Sequence, residues 1–278
     1  MDPFPGLEHR PFDVGDGPAT AVAVHGFPGT PAEMRPVGEA LASIGWRVRA
    51  PLLPGFGPEW HTLAKRSWTE WRDTVAAEVQ HAAQAGDQVM LVGFSMGAAL
   101  VLSAIHDAGV KADALVLLAP LSRFADRRAA LLPLAKRLKP KWRPYADADF
   151  DDPRVRADLT RQLGGVDLDD PATRERLRND VTVPTAAVDQ VRRAGLRAWR
   201  IAPKLPEVPT LVVQGERDTT VPPQGTIELL RRLPGEPLRL FLPDADHSLV
   251  FPDRPGHMEM LRSVQRFGHE RLGRLDVS

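Results

Sequence analysis

With 278 residues, 43% of them hydrophobic and 26% charged, the chain has the make-up of a globular protein with room for one large sheet-based domain. Its 36 basic and 36 acidic side chains cancel, so the charge argues against a nucleic-acid or anionic-membrane partner. The lack of any cysteine excludes disulfides, thiolate nucleophiles and cysteine metal sites together.

The first ten residues have neither the basic start nor the apolar core of a signal peptide. No apolar stretch approaches the ~20 residues needed to span a bilayer. The expectation is a soluble cytoplasmic protein without integral membrane association, acting as a monomer or small homo-oligomer.

Residues 7–14 alternate loosely and predict an edge strand, with a turn over 13–18. Residues 19–24 are a continuous small and β-branched run, the pattern of a strand covered on both faces, and end in His25-Gly26-Phe27-Pro28-Gly29-Thr30. A helix is predicted over 31–44, with Thr30 as N-cap, Pro31 at the first helical position and Gly45 as the stop. A strand over 46–52 leads into the loop 53–58. Ser67 or Thr69 then opens a helix to about residue 85, closed by Gly86. The apolar strand 88–94 runs into Gly93-Phe94-Ser95-Met96-Gly97, and a helix follows to about residue 108. Another strand, apolar but for Asp113, spans 112–119. This alternation predicts a parallel sheet with right-handed crossovers.

Between 121 and 183 no strand-like run occurs. Short helices are predicted at 127–138, 154–163 and 172–180, separated by Pro- and Asp-rich turns. The acidic stretch 147–152 lacks the spacing and closing glutamate of a calcium loop and reads as a solvated turn. Leu131, Leu132, Leu134, Leu138 and Trp142 exceed what a linker needs, so the segment reads as a helical cap. The α/β pattern resumes with a helix over 185–201, a strand over 210–213, a helix over 224–233, a strand over 238–242 and a final helix over 256–272. The expected division is a core over 1–120 and 184–278 with the cap over 121–183.

Gly-x-Ser-x-Gly after a buried strand is the pattern of a sharp strand-to-helix turn with Ser95 at its apex. Asp218 and His247 lie in loops after two later core strands. A serine hydroxyl needs a base to take its proton, and a base histidine needs a carboxylate to fix its tautomer. Ser95, Asp218 and His247 supply these three roles, in that chain order. A tetrahedral oxyanion also needs two fixed donors. Met96 N–H, directly after the nucleophile, supplies one, and Phe27 N–H the other. His25 is read as holding the loop by a side-chain hydrogen bond.

The motifs His25-Gly26-Phe27-x-Gly29, Gly93-Phe94-Ser95-Met96-Gly97, the run from Pro209 to Pro222 around Asp218, and Asp246-His247 resemble those of the α/β-hydrolases. The likeness is nearest to the compact carboxylesterase and monoacylglycerol lipase group. It runs from about 18 to 272, with only length and helical character compared in the cap. It implies a mostly parallel sheet of six to eight strands, with the cap inserted after the third strand that follows the oxyanion-loop strand. It further implies ester hydrolysis through an acyl-enzyme, without cofactor or metal. The expected substrate is a small ester of short- to medium-chain acyl groups, monoacylglycerols included. Other serine chemistry on this fold, a cofactor-free haloperoxidase or perhydrolase or a carbon–carbon bond hydrolase, stays open, as does a non-catalytic ligand-binding role. Relatives often carry Gly-His-Gly where this chain has Gly55-Phe56-Gly57, which leaves the role of that position open.

Overall fold

The computed structural model describes residues 6–84, 88–122, 140–153, 155–156, 159–160 and 167–273. Its centre is a seven-stranded sheet built from β1 (Phe12–Val14), β2 (Ala19–Val24), β3 (Trp46–Ala50), β4 (Gln88–Phe94), β5 (Ala114–Leu118), β6 (Thr210–Gly215) and β7 (Leu238–Leu242). The spatial order is β1-β3-β2-β4-β5-β6-β7. Only β1, paired with β3, runs antiparallel. The chain builds outward from β2 to β3, then returns to place β4 on the other side of β2. The gap between β2 and β4 is therefore the switch point of the sheet, where open α/β sheets bind ligands at the carboxyl ends of their strands.

Every residue of β2, β5 and β6 is buried, as continuous apolar strands require when helices cover both faces. On one face lie α2 (Trp68–Gln84), α3 (Met96–Asp107) and α5 (Thr185–Ile201), around Trp71, Val75, Leu100 and Val191. On the other lie α1 (Arg35–Ala42) and α7 (His257–Leu272), around Val37, Leu41, Met260 and Phe267. α2 starts at a capping box: Glu70 N–H donates to Ser67 Oγ (3.3 Å), and Ser67 N–H donates back to Glu70 Oε2 (2.7 Å). Gly86, its expected stop, lies outside the described residues.

Several local expectations change. Residues Leu7–His9 form a 3-10 turn, and only Phe12–Val14 pairs as the edge strand. The helix expected over 31–44 is a 3-10 turn at Pro31–Met34 followed by α1. Thr30 does not cap it by its side chain. Pro31 has no N–H to offer, the Thr30 carbonyl already takes Glu33 N–H (3.2 Å), and the Thr30 hydroxyl lies 2.9 Å from Nδ1 of the buried His9. A nine-residue 3-10 run at Gly57–Lys65 has no counterpart in the sequence reading.

Between β5 and α5, the expected helix at 127–138 lies outside the described residues, as do Leu131, Leu132, Leu134 and Leu138. The helix at 154–163 falls only partly inside them. The third is α4 (Pro171–Asp180), capped by the Asp170 carboxylate, which accepts from Ala172 and Thr173 N–H. The segment is not free of strand. A two-residue antiparallel ladder pairs Lys141–Trp142 with Val183–Pro184. Trp142 stands exposed, and the apolar cluster is formed by Phe150, Leu159, Leu168 and Leu177. A small core separate from those of the main sheet gives this segment its own cohesion. Among the described residues, no helix is long and apolar enough to cross a membrane.

Candidate active site

Ser95 is the residue between β4 and α3, and its backbone sits at φ 52°, ψ −113°. A side-chain-bearing residue reaches that region only when its surroundings over-determine it. Three contacts do so. Ser95 N–H donates to Leu118 O (2.9 Å), while Ser95 O accepts from Ala98 (3.1 Å) and Leu121 (3.1 Å). The flanking glycines are required by close approach. A Cβ at Gly93 would stand 2.5 Å from Ala98 Cα, and one at Gly97 would stand 2.2 Å from Val24 O. The turn is thus tight against its own helix and against the end of β2.

The structure brings Ser95, His247 and Asp218 into one hydrogen-bonded line. Nδ1 of His247 lies 2.8 Å from Asp218 Oδ2 and Nε2 lies 3.0 Å from Ser95 Oγ. A carboxylate only accepts, so Nδ1 carries the proton and Nε2 is left to accept from the serine hydroxyl. The Asp218 side chain is fully buried and that of His247 is 19% exposed. Asp218 has its acceptor sites filled: Oδ1 takes Thr220 N–H (2.9 Å) and Val221 N–H (2.7 Å), and Oδ2 takes Gln214 Nε2–H (3.1 Å) beside His247. A carboxylate held by four donors keeps its place and its orientation. The two other acids near His247 do different work. Asp246 accepts Ser248 N–H (2.8 Å), and Asp244 pairs with Arg217 at the surface.

Phe27 and Met96, the two expected donors, lie at the ends of the neighbouring strands β2 and β4. Among the described residues neither N–H donates a hydrogen bond elsewhere in the chain. Met96 N–H is also an unpaired first-turn amide at the head of α3, which favours negative charge. His25 is fully buried and holds the loop as expected. Leu53 N–H donates to Nε2 (3.2 Å), so Nδ1 is the protonated nitrogen and donates to Gly26 O (2.9 Å). Burial lowers the His25 pKa to about 4, so the ring stays neutral and both bonds persist at pH 7. The Gly26 carbonyl and Phe27 N–H belong to one planar peptide, so fixing the first aims the second.

Phe56, whose role the sequence left open, is fully buried. It packs edge-on against His25 (5.0 Å), Phe27 (5.8 Å) and Trp71 (5.3 Å). Its ring contacts brace the loop that holds His25 and Phe27.

Sequence reasoning missed two polar groups. Gln214 Nε2–H reaches Asp218, Gly215 O (3.0 Å) and Val221 O (3.2 Å), while its Oε1 accepts from Thr226 Oγ (2.6 Å). Its signal was a glutamine closing an otherwise apolar strand. Glu33 is buried beneath the loop at 26–29, and its Oε1 accepts Gly26 N–H. Burial raises its pKa to about 8, opposed by that N–H. Its signal was register, because Glu33 falls on the i, i+4 row of the buried Val37 and Leu41.

The profile of the Hydrolase_4 family, described as serine aminopeptidase S33, matches residues 17–252. The chain belongs to this family. Its members' fold, the α/β-hydrolase fold, is the one found here. The S33-family chain is also 35% identical over 93 residues to the thermostable monoacylglycerol lipase of Bacillus sp. strain H-257. That match spans 34% of this chain and 37% of the relative, so only about a third of each is compared. Among solved structures, it superposes on a metagenome-derived lipolytic enzyme with a TM-score of 0.76 at 20% identity, covering 96% of this chain and 99% of that one. The monoacylglycerol lipase of Paleococcus ferrophilus gives a TM-score of 0.71 at 20% identity, covering 94% and 98%. At such identities these two likenesses speak for the fold of the S33-family chain.

Proposed function

We propose that the protein is a serine carboxylester hydrolase acting through an acyl-enzyme on short- to medium-chain esters, monoacylglycerols among them. The observation that carries this reading is the bonded line Ser95–His247–Asp218 at the switch point of the sheet. Ser95 Oγ attacks the ester carbonyl carbon as its proton passes to His247 Nε2. The carbonyl oxygen takes the negative charge between Phe27 N–H and Met96 N–H. His247 returns the proton to the alcohol oxygen as the ester C–O bond breaks. Water then attacks the acyl carbon as it gives a proton to the same nitrogen, and His247 passes that proton to Ser95 Oγ as the acyl–Oγ bond breaks. Asp218 keeps the imidazole in the productive tautomer and stabilises its charged form. The preorganised donors supply the largest share of stabilisation, with each one worth on the order of 3 kcal/mol in the barrier.

In this proposal residues 121–183 act as the cap that selects the acyl chain. The segment's own apolar cluster, and the bond from Trp60 Nε1–H to Thr182 O (3.3 Å), support its seating over the core. The test is a series of p-nitrophenyl esters from acetate to palmitate beside 1-monoacylglycerols, with aminoacyl p-nitroanilides as the peptidase arm. Turnover that peaks at short to medium acyl length and disappears in Ser95→Ala is the expected result. Cleavage of the anilides in preference to the esters overturns the reading.

A further inference from the structure

The loop that presents Phe27 is folded around a carboxyl group. Glu33, in the turn Pro31–Met34, sends its head group into the curve of residues 26–29. Oε1 accepts Gly26 N–H. A Cβ on Gly29 would stand 2.0 Å from Oε2 and 2.6 Å from Oε1, so the Gly29 backbone rests directly on the carboxyl. A Cβ on Gly26 would stand 3.0 Å from Phe94 Cδ1 and 3.1 Å from Glu33 Oε1, and the Phe94 ring lies 5.2 Å from that of His247.

Both peptides that flank Gly26 are thereby pinned by buried side chains. Glu33 holds the N–H of the first, and His25 holds the carbonyl of the second, which carries Phe27 N–H. A peptide plane turns as one unit, so the direction of Phe27 N–H depends on the hold at both ends of Gly26. Glu33 bonds to none of Ser95, His247 or Asp218, and among the described residues no basic side chain pairs with it. Burying a carboxyl without a cation is unfavourable, and a leucine of similar size would avoid that penalty. The group sits where its two oxygens meet the two glycines of the oxyanion loop.

We propose that Glu33 is a positioning residue for ester hydrolysis: its buried carboxyl is the former on which residues 26–29 fold, and it aims Phe27 N–H at the oxygen that becomes negative. This rests on the reading of Phe27 N–H as an oxyanion donor. Glu33→Leu removes both acceptor oxygens. It should lower kcat for p-nitrophenyl butyrate on the order of 100-fold while KM stays within about threefold, because Phe27 N–H acts on the charge of the transition state and not on the bound ester. Glu33→Gln keeps an acceptor for Gly26 N–H and should bring kcat back to within about fivefold of the natural chain. A folded Glu33→Leu protein with unchanged kcat, or with the effect confined to KM, overturns the proposal.

Should Glu33→Leu not fold, Glu33→Asp withdraws the head group by one methylene, and the same fall in kcat at unchanged KM is required of it. Replacing Phe27 by phenyllactic acid turns its amide into an ester and deletes the N–H alone. Full kcat in that variant means that the donor reading itself fails, and the proposal with it. A reduced kcat there, with full kcat in the folded Glu33 variants, means that the donor stands and Glu33 does not position it.

Discussion

Gly97 and Val24 touch through their backbones. A Cβ on Gly97 would stand 2.2 Å from the Val24 carbonyl oxygen, far inside van der Waals contact. The helix that begins behind Ser95 is therefore seated on the end of the strand that leads into residues 25–30. Gly97→Ala should push α3 away from β2 and separate Met96 N–H from Phe27 N–H. A fall in kcat of at least ~10-fold is expected, with a lowered Tm. Steady-state kinetics and a thermal melt check this together; a Gly97→Ala protein with natural kcat and Tm would contradict the close approach.

Asp218→Asn keeps the size of the side chain but offers an amide N–H where His247 Nδ1 now finds an acceptor. The imidazole is then driven toward the tautomer in which Nε2 carries the proton, and in the proposed mechanism Ser95 loses its base. A fall in kcat of about 10³- to 10⁴-fold is expected, with little change in Tm beyond the lost bond from Gln214 Nε2–H to Oδ2, since Oδ1 still accepts from Thr220 and Val221. A decrease of less than tenfold would show that another group orients His247.

Gln214 ties Asp218 to Val221 O and, through Thr226, to α6 (Pro223–Leu230). Gln214→Leu fills the same space but leaves the carboxylate one donor short and the Thr226 hydroxyl unpaired. Stability should drop by about 1–3 kcal/mol, as for other buried groups deprived of their partner. kcat should drop more than KM changes. Denaturant melts and kinetics on the same preparation decide it; an unchanged midpoint would mean that water replaces the amide without penalty.

Glu33 and His25 give stability opposite slopes with pH. Glu33 in the fold titrates near 8 against an ordinary 4.5, so the folded chain holds its proton where the unfolded chain does not. Its contribution is complete below pH 4.5 and is lost as pH rises through 8. His25 is lowered from 6.5 to about 4, so its contribution is complete above 6.5 and is lost as pH falls through 4. Between 6.5 and 8 only the Glu33 slope acts. The natural chain should lose Tm over that interval by about 2 °C or more relative to Glu33→Gln, as followed by melts at matched ionic strength. Parallel Tm curves for the two proteins would place the carboxyl in a less buried setting.

Much of the molecule was legible from local pattern. The runs at 19–24 and 88–94, apolar but for Thr20 and Gln88, gave strands whose bounds hold to the residue, and the helix expected at 185–201 is α5. Burial on both faces and 3.6-residue periodicity are properties of a short stretch of chain. Thr30 was misread because its N-cap role was a local inference, whereas its hydroxyl is engaged by His9, 21 residues away. The 3-10 run at Gly57–Lys65 has too poor a period to announce itself.

The sequence by itself determined the strand-and-helix order, the sharp turn at Ser95, and the order in which a serine, an aspartate and a histidine follow their strands. These depend on residues within a few positions of one another. Only the tertiary structure decided that His247 Nε2 meets Ser95 Oγ across 152 residues, that Asp218 rather than Asp244 or Asp246 holds Nδ1, and that Phe56 turns inward onto His25 and Phe27. It alone revealed a carboxyl inside the curve of residues 26–29. Burial and hydrogen-bond partnership are set by which elements pack together, and no single stretch of chain contains that information.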